Sequence, residues 1–232
     1  MPAIDTSVSA DGSGTLTSPP VTTTKSGDVL LAFVASDGRT SGQTTTVSGA
    51  GLTWTLVRRA NARAGVSEIW RAQATGTLSG ATVRSTPSQT GFHQSLTVVA
   101  FSNARGVGAS VAGGAATGAP NVTLTTTAAG SWVFGVGNDY DNAVARTLGS
   151  GQTLLHHWVD TSVGDTFWVQ SRAQPTPNAG TAVNIDDIAP AGDQWNLAAV
   201  EVLAATSSTP TPPPADTSPP QVRVPTRQPV RR

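Results

Sequence analysis

The segment with the densest set of side chains capable of chemistry is residues 138–142, which read NDYDN. Asp139 and Asp141 flank Tyr140 directly after an apolar run, so both carboxylates are expected in the loop that follows a central strand. Calcium takes several oxygen ligands from one rigid loop, and this loop offers two carboxylates and two amides. The sequence therefore predicts either an ordinary turn or a calcium site formed by Asp139 and Asp141. The spacing is not that of an EF-hand loop, because the later bidentate glutamate is missing.

Residues that usually perform acid–base or nucleophilic catalysis are sparse. The chain has no cysteine, which excludes disulfides, thiolate metal sites and cysteine nucleophiles. The two glutamates, Glu68 and Glu201, lie far apart in sequence and belong to no paired-carboxylate motif of a glycosidase. His156 and His157 would point to opposite faces of a regular strand and could not share a metal. No nucleophile turn, phosphate loop or dinucleotide fingerprint is present, so the sequence predicts a protein that is not an enzyme.

Six tryptophans, against a single tyrosine, are the strongest sequence indication of a binding function. The flat indole ring stacks on sugar rings, and its N–H can donate to a hydroxyl. Trp54 shares a strand face with two leucines, and Trp132 lies in an apolar run, so both are expected in the core. Trp168 alternates with Phe167, which would turn the indole outward if Phe167 faces the core.

A binding surface for sugar would therefore use the aromatic residues of the second half of the chain. The expected ligand-binding residues are Tyr140, Trp158 and Trp168. They would act beside the loop that carries Asp139 and Asp141. The alternative is that these rings only pack against the core or its loops.

The composition favours strands over helices. Only 12% of the residues are charged, and threonine and valine are abundant. No window shows sustained apolar spacing at i, i+3, i+4 and i+7, so little helix is expected. No apolar run is long enough to span a membrane, and the first ten residues lack the charged and apolar regions of a signal peptide. The chain either does not use a signal peptide or begins at a fragment boundary.

The charge is unevenly spread along the chain. The last 27 residues hold four arginines and one aspartate, so the rest of the chain has three more acidic than basic residues. Nucleic-acid binding needs a clustered basic face, which a mildly acidic body does not provide. The sequence therefore excludes nucleic acid as the expected partner.

The chain contains an internal duplication. A shift of 103 residues places SVSADGSGTLTSPPVTTT, from Ser7, on SVAGGAATGAPNVTLTTT, from Ser110. Further matches in the same order pair GLTWTLV with GQTLLHH, EIWRAQA with TFWVQSR, and SLTVVAF with NLAAVEV. The third of these aligns Trp70 with Trp168. The sequence predicts two copies, at about 4–104 and 107–205.

Each copy shows short strands between turn residues at about ten-residue spacing, which is typical of sandwiches and barrels. The runs at 29–34 and 132–136 are apolar on both faces and should lie in the middle of sheets. We expect an all-β, double-layer β-sandwich of jelly-roll type, with the copies related by a pseudo-twofold axis. The alternative is two tandem immunoglobulin-like sandwiches of about 100 residues each.

The chain is expected to change character after residue 205. Residues 206–232 hold eight of the sixteen prolines and should form an extended linker. Within them, ADTSPPQVRV resembles the start of a bacterial immunoglobulin-like module, which the chain ends too early to complete. We therefore expect residues 1–205 to form one module, with immunoglobulin-like neighbours in a longer parent chain.

The body resembles repeated β-sandwich modules of large, secreted, modular bacterial proteins, especially of actinobacteria, and similar pieces occur in phage tail proteins. The segments that carry the resemblance are SGDVLLAFVASDG, GLTWTLV, EIWRAQATG, HQSLTVVAFS and NLAAVEVL. The resemblance implies an extracellular, surface-associated setting, or a phage virion. The expected function is a non-catalytic module that attaches its parent to a polysaccharide or cell surface. The alternative is a structural spacer of an adhesin or phage tail, without a small ligand.

Overall fold

The computed structural model describes residues 1–206 as an all-β body, with no helix among them. The predicted linker and truncated module, residues 206–232, lie outside the described residues except for residue 206. Each copy contributes eight strands. Those of the first copy are β1 (Ala3–Ser13), β2 (Leu16–Thr17), β3 (Val29–Ser36), β4 (Thr45–Gly49), β5 (Thr55–Ala60), β6 (Val66–Gln73), β7 (Val83–Pro87) and β8 (His93–Ser102). Those of the second are β9 (Ala104–Ala115), β10 (Asn121–Thr125), β11 (Trp132–Asp139), β12 (Thr147–Leu148), β13 (Gln152–Asp160), β14 (Asp165–Arg172), β15 (Ala182–Ala189) and β16 (Trp195–Ala204).

The two copies have the same topology. The first forms a five-stranded sheet, β1-β8-β3-β6-β5, and a three-stranded sheet, β2-β7-β4. The second repeats this order as β9-β16-β11-β14-β13 and β10-β15-β12. The all-β class and the sandwich-like layers are thus confirmed. The body has four sheets, where one double-layer sandwich would have two. The choice between a jelly-roll and an immunoglobulin-like arrangement stays a prediction.

The central strands are apolar throughout because both of their faces are covered. Every residue of β3 is buried, and β11 is buried from Val133 onward. Alternate side chains of each strand enter two different cores, as the period of two requires. Leu30, Ala32 and Val34 face the three-stranded sheet of their own copy, whereas Val29, Leu31 and Phe33 face the other copy. The sequence prediction that these runs lie in the middle of sheets is confirmed.

Three apolar cores separate the four layers. One core fills the first copy, one fills the second, and the third lies between the two five-stranded sheets. Phe33, Phe101 and Phe134 form the centre of the third core, with ring centroids 4.9 and 6.1 Å from Phe134. We call this third core the inter-copy core. It joins the duplicated halves into a single body.

The two five-stranded sheets stack strand on strand. The central strand β3 packs on β11, β8 packs on β14, and β6 packs on β16. The contacts are reciprocal, since β14 is the counterpart of β6 and β16 the counterpart of β8. This is the pseudo-twofold relation predicted from the duplication. A bulge recurs at the same place in β5 and β13, where Val57 and Leu155 both turn into the inter-copy core.

The predicted equivalence of Trp70 and Trp168 is wrong. Val34 pairs with Glu68 in the first copy, and Gly137, 103 residues after Val34, pairs with Trp168 in the second. Trp168 therefore occupies the position of Glu68. The cause is the length of the hairpins, counted from the bulged residue of the first strand to the equivalent residue of the second. On this count the hairpin of β13 and β14 is two residues longer than the hairpin of β5 and β6. A shift of two residues keeps a side chain on the same face of a strand, so the mismatch leaves no trace in the alternation pattern.

Both ends of the described body lie together. A Cβ added at Gly130 would lie 3.5 Å from Cγ of Met1 and 3.8 Å from Cβ of Ala204. The backbone agrees, since Ala3 pairs with Ser102 and the amide of Ala205 donates to Asn103. We call this the proximal end of the body and the opposite end the distal end. Among residues 1–206, no helix is long and apolar enough to cross a membrane.

Candidate functional site

The distal end collects titratable side chains from both copies. Asp37 follows β3, and His93 begins β8, and both belong to the first copy. Asp160 ends β13 and Asp165 begins β14 in the second copy, and the two residues lie opposite each other in the strand register. Because the two five-stranded sheets stack, these four residues meet where the inter-copy core ends. We call them the distal cluster.

The Asp37 and Asp165 side chains are 6% and 2% exposed and lie close enough for each to shift the pKa of the other. The amide of Gly38 donates to Asp37 Oδ1 at 2.5 Å, whereas Asp165 Oδ2 has no hydrogen-bond partner among the described residues. Burial and the charge of Asp37 raise the pKa of Asp165 to about 9, and burial also raises the pKa of Asp37. Asp165 therefore keeps its proton at neutral pH, beside the carboxyl group of Asp37.

His93 and Asp160 form the second pair of the cluster, through His93 Nδ1 and Asp160 Oδ2. Asp160 also accepts from the amide of Ser162 at 3.0 Å. Burial acts to raise the pKa of Asp160, but the hydrogen bonds from Ser162 and His93 together outweigh burial and lower this pKa. Asp160 thus stays ionised beside Asp37 and Asp165.

Trp158 belongs to this cluster as a packing residue. Its ring stacks with His93 at 5.7 Å and 8°, and with Phe167 at 5.3 Å and 25°. It is half-buried against the inter-copy core. Because its ring is occupied by protein contacts, Trp158 does not present the open face that a sugar platform needs.

Asp139 and Asp141 do not converge on one point. Asp139 is fully buried and forms an ion pair with Arg146. Burial nevertheless raises the pKa of Asp139 to about 6. Asp141 is exposed and accepts from the amide and side chain of Gln194, at 2.9 and 2.8 Å. Within the described residues, no group of three or more His, Cys, Asp or Glu side chains could hold a metal ion. The paired geometry of a calcium loop is therefore absent from residues 138–142.

The expectation that Trp168 faces outward is wrong. Its side chain does lie opposite Phe167, but the three-stranded sheet of the second copy covers that face as well, so Trp168 is 1% exposed. The indole packs over Gly137, where a Cβ would overlap the ring. The guanidinium of Arg146 lies 4.4 Å from its centroid. A buried Trp168 cannot touch a polysaccharide.

The structure thus brings most of the predicted residues to one end without forming the predicted platform. Tyr140, Asp139, Asp141 and Trp158 all lie at the distal end, and Tyr140 is half-buried. The charges of Asp37 and Asp165, after burial, act to raise the pKa of Tyr140. Trp54 and Trp132 pack against the cores and are half-buried, as the sequence indicated.

The sequence analysis missed the distal cluster. Asp37 follows a strand in SDG and reads as a turn residue, and Asp165 reads the same way in VGDT. Their contact joins residues 128 positions apart, so no local signal could have found it. The pair can store a proton inside the body, but its burial keeps a substrate away unless the covering loops move.

Both glutamates have structural partners. Glu201 accepts from the amides of Ala109, Thr127 and Ala128 at 2.8 to 3.1 Å. Burial acts to raise the pKa of Glu201, but hydrogen bonding with Ser131, Ala109 and Thr127 outweighs burial and lowers this pKa. Glu68 pairs with Arg59. Neither side chain lies beside a second carboxylate in the manner of a glycosidase.

A cleft of about 680 Å³ opens at the proximal end of the second copy. It lies where β14 ends and β15 begins, beside the connecting residues 173–181. Its lining residues are Gly151, Arg172, Ala173, Gln174, Pro175, Thr176, Pro177, Thr181, Ala182, Val183 and Asn184. This volume is within the range of small-ligand sites. None of the residues expected to bind a ligand contributes to it.

Comparison with known proteins adds no relative to this picture. No protein-family model, no curated protein and no solved structure matches the chain. The resemblance to secreted modular proteins therefore stays a prediction.

Proposed function

We propose that the chain is a non-catalytic extracellular module that attaches a longer parent protein to a polysaccharide or surface glycan. It acts without a cofactor of its own. Its partners within the parent are the immunoglobulin-like modules expected beyond the proline-rich segment. The same attachment could serve a phage virion.

The position of the two chain ends is the observation that carries this proposal. Residues Met1 and Ala204 meet at the proximal end, so the chain enters and leaves the body at nearly the same place. A module inserted in this way adds little length between its neighbours. It projects sideways instead, which leaves its distal end and flanks free to contact a surface.

The test is retention of the full chain on a panel of insoluble polysaccharides, with and without EDTA. We expect retention on at least one of them, and we expect EDTA to leave it unchanged because Asp139 is already paired with Arg146. A matched sample unfolded in urea controls for non-specific adsorption. Absence of retention on every polysaccharide would contradict the proposal, and loss with EDTA would restore the calcium hypothesis.

A structural module without a small ligand is the second candidate. The observation that favours it is the burial of tryptophan, since Trp168 and Trp195 are buried and the other four are half-buried. Burial of this kind favours packing of the rings against protein over an open platform for sugar rings. The inter-copy core would give such a module rigidity.

Fluorescence quenching measures this burial in solution. Iodide should quench the tryptophan emission of the folded chain only weakly, at most about one third as strongly as in urea, because iodide does not enter apolar cores. Free tryptophan in the same buffers is the control. Quenching as strong as in the unfolded chain would show that the rings are accessible and would support an aromatic surface for sugar rings.

A further inference from the structure

We propose that the proximal cleft of the second copy binds an acidic oligosaccharide, with Arg172 pairing to a sugar carboxylate. The inference rests on the proposed function and names its site and ligand class. It places recognition in a cleft lined by polar side chains instead of on the aromatic residues.

The cleft exists because the two copies differ at this place. The equivalent positions are fixed by hydrogen bonds. The amide of Leu78 donates to Thr23 Oγ1 at 2.9 Å, and the amide of Thr181 donates to Thr126 Oγ1 at 3.2 Å. In the first copy Leu78 packs against the core. In the second copy the smaller Thr181 stands in its place and lines the cleft.

The lining is suited to a ligand rich in hydroxyl groups. Gln174 and Asn184 are exposed side chains with both donors and acceptors, and Thr176 and Thr181 add hydroxyl groups. Pro175 and Pro177 restrict the backbone of the connecting segment, which reduces the entropy lost on binding. Neutral donors and acceptors on a stiff wall can pair with sugar hydroxyls.

Arg172 supplies the only charge in this lining. Its Nη1 donates to the carbonyl of Ser150 at 3.0 Å, and no carboxylate lies within 4 Å of it among the described residues. A guanidinium held this way can form a bidentate pair with a carboxylate of a ligand. The ligand is therefore expected to be anionic.

Gly151 helps to place the guanidinium. Its φ of +67° is one that other residues rarely adopt, and a Cβ there would lie 2.9 Å from Nη2 of Arg172. The absence of a Cβ at Gly151 thus leaves room for the guanidinium beside the turn before β13. The cleft is open at its surface, so a chain can extend beyond it, and a uronic acid polymer combines these properties.

Affinity electrophoresis of the full chain in gels containing polygalacturonate tests the inference. We expect retardation that weakens as salt is raised. Arg172→Gln should weaken it at least tenfold by removing the charge, and Thr181→Leu should do so by filling the cleft as Leu78 does. Arg84→Gln and Thr46→Leu, at exposed positions on the first copy, are the matched controls and should change nothing.

Circular dichroism and thermal unfolding identify a variant that fails to fold. Thr181→Leu adds an apolar group at a half-buried position, and it tests the cleft without changing Arg172. Unchanged retardation of both variants would overturn the inference. So would failure of the folded chain to bind polygalacturonate. If a neutral polysaccharide is retained instead, the cleft inference fails and the attachment function stands. If nothing is retained on any polysaccharide, both fail.

Discussion

Replacing Phe134 by alanine is expected to lower the free energy of unfolding by about 3–5 kcal/mol. Phe134 is fully buried at the centre of the inter-copy core, where it contacts Phe33, Phe101 and Trp132 at centroid distances of 4.9 to 6.1 Å. Truncation removes these contacts and leaves a cavity that two stacked sheets cannot easily close. Urea unfolding followed by tryptophan fluorescence measures the loss.

The same experiment shows whether the copies unfold together. Because one apolar core joins them, we expect a single transition in the wild-type chain. Val144→Ala is the control, since this side chain is 45% exposed and its truncation should cost little. A loss below about 1 kcal/mol for Phe134→Ala would mean that the two sheets do not share a core. Two separate transitions in the wild type would lead to the same conclusion.

The second large effect concerns pH. The pKa of Asp165 is raised from 3.8 in the unfolded chain to about 9 in the folded one. Its contribution to stability is therefore fully present below about pH 4 and is lost as the pH rises through about 9. Between these values the unfolded chain releases a proton that the folded chain keeps. The expected slope is at most about 1.4 kcal/mol per pH unit.

Other buried carboxyl groups act in the same direction. Burial raises the pKa of Asp28 to about 6 and of Asp187 to about 7. The stability that each protonated group contributes to the fold is therefore lost as the pH rises toward neutrality. Asp5 has a lowered pKa because of its hydrogen bonds to Thr24, and its contribution is lost as the pH falls below about 4. Maximum stability is therefore expected in mildly acid solution.

Asp165→Asn isolates the contribution of the distal pair. An amide can still donate to Asp37 but cannot ionise, so the variant should lose less stability than the wild type between pH 5 and pH 9. Thermal unfolding across this range measures the difference. Asp141→Asn, at an exposed position, is the matched control and should retain the slope of the wild type. Parallel curves for Asp165→Asn and the wild type would refute the raised pKa of Asp165.

Much of the fold could be predicted because strands leave a short-range pattern. The all-β class and the burial of both faces of β3 and β11 follow from apolar residues at a spacing of one or two, and the duplication follows from segments that match in order. What covers those faces could not be predicted. The run in β3 requires a layer on each side, but it does not say that one is the three-stranded sheet of its own copy and the other the second copy.

The candidate sites were less predictable. The sequence predicted that residues 138–142 follow a central strand, and the structure places them at the distal end. The pairing of Asp139 with Arg146 could not be predicted, because no spacing rule marks a buried arginine. Trp168 was assigned to the right strand face, and only the sheet above it decided that this face is buried. The cleft depends on Leu78 and Thr181 being equivalent, which requires the hydrogen bonds of both copies.

The sequence by itself determined that this protein is a duplicated all-β body, since periodicity and repetition are properties of neighbouring residues. The tertiary structure alone decided that the five-stranded sheets stack, that Asp37 meets Asp165 across the copies, and that both chain ends emerge at one place. These contacts join residues far apart in the sequence, and Asp37 and Asp165, for example, are 128 positions apart. Their energy depends on burial and on partners that no local segment contains, so they are fixed only when the sheets pack.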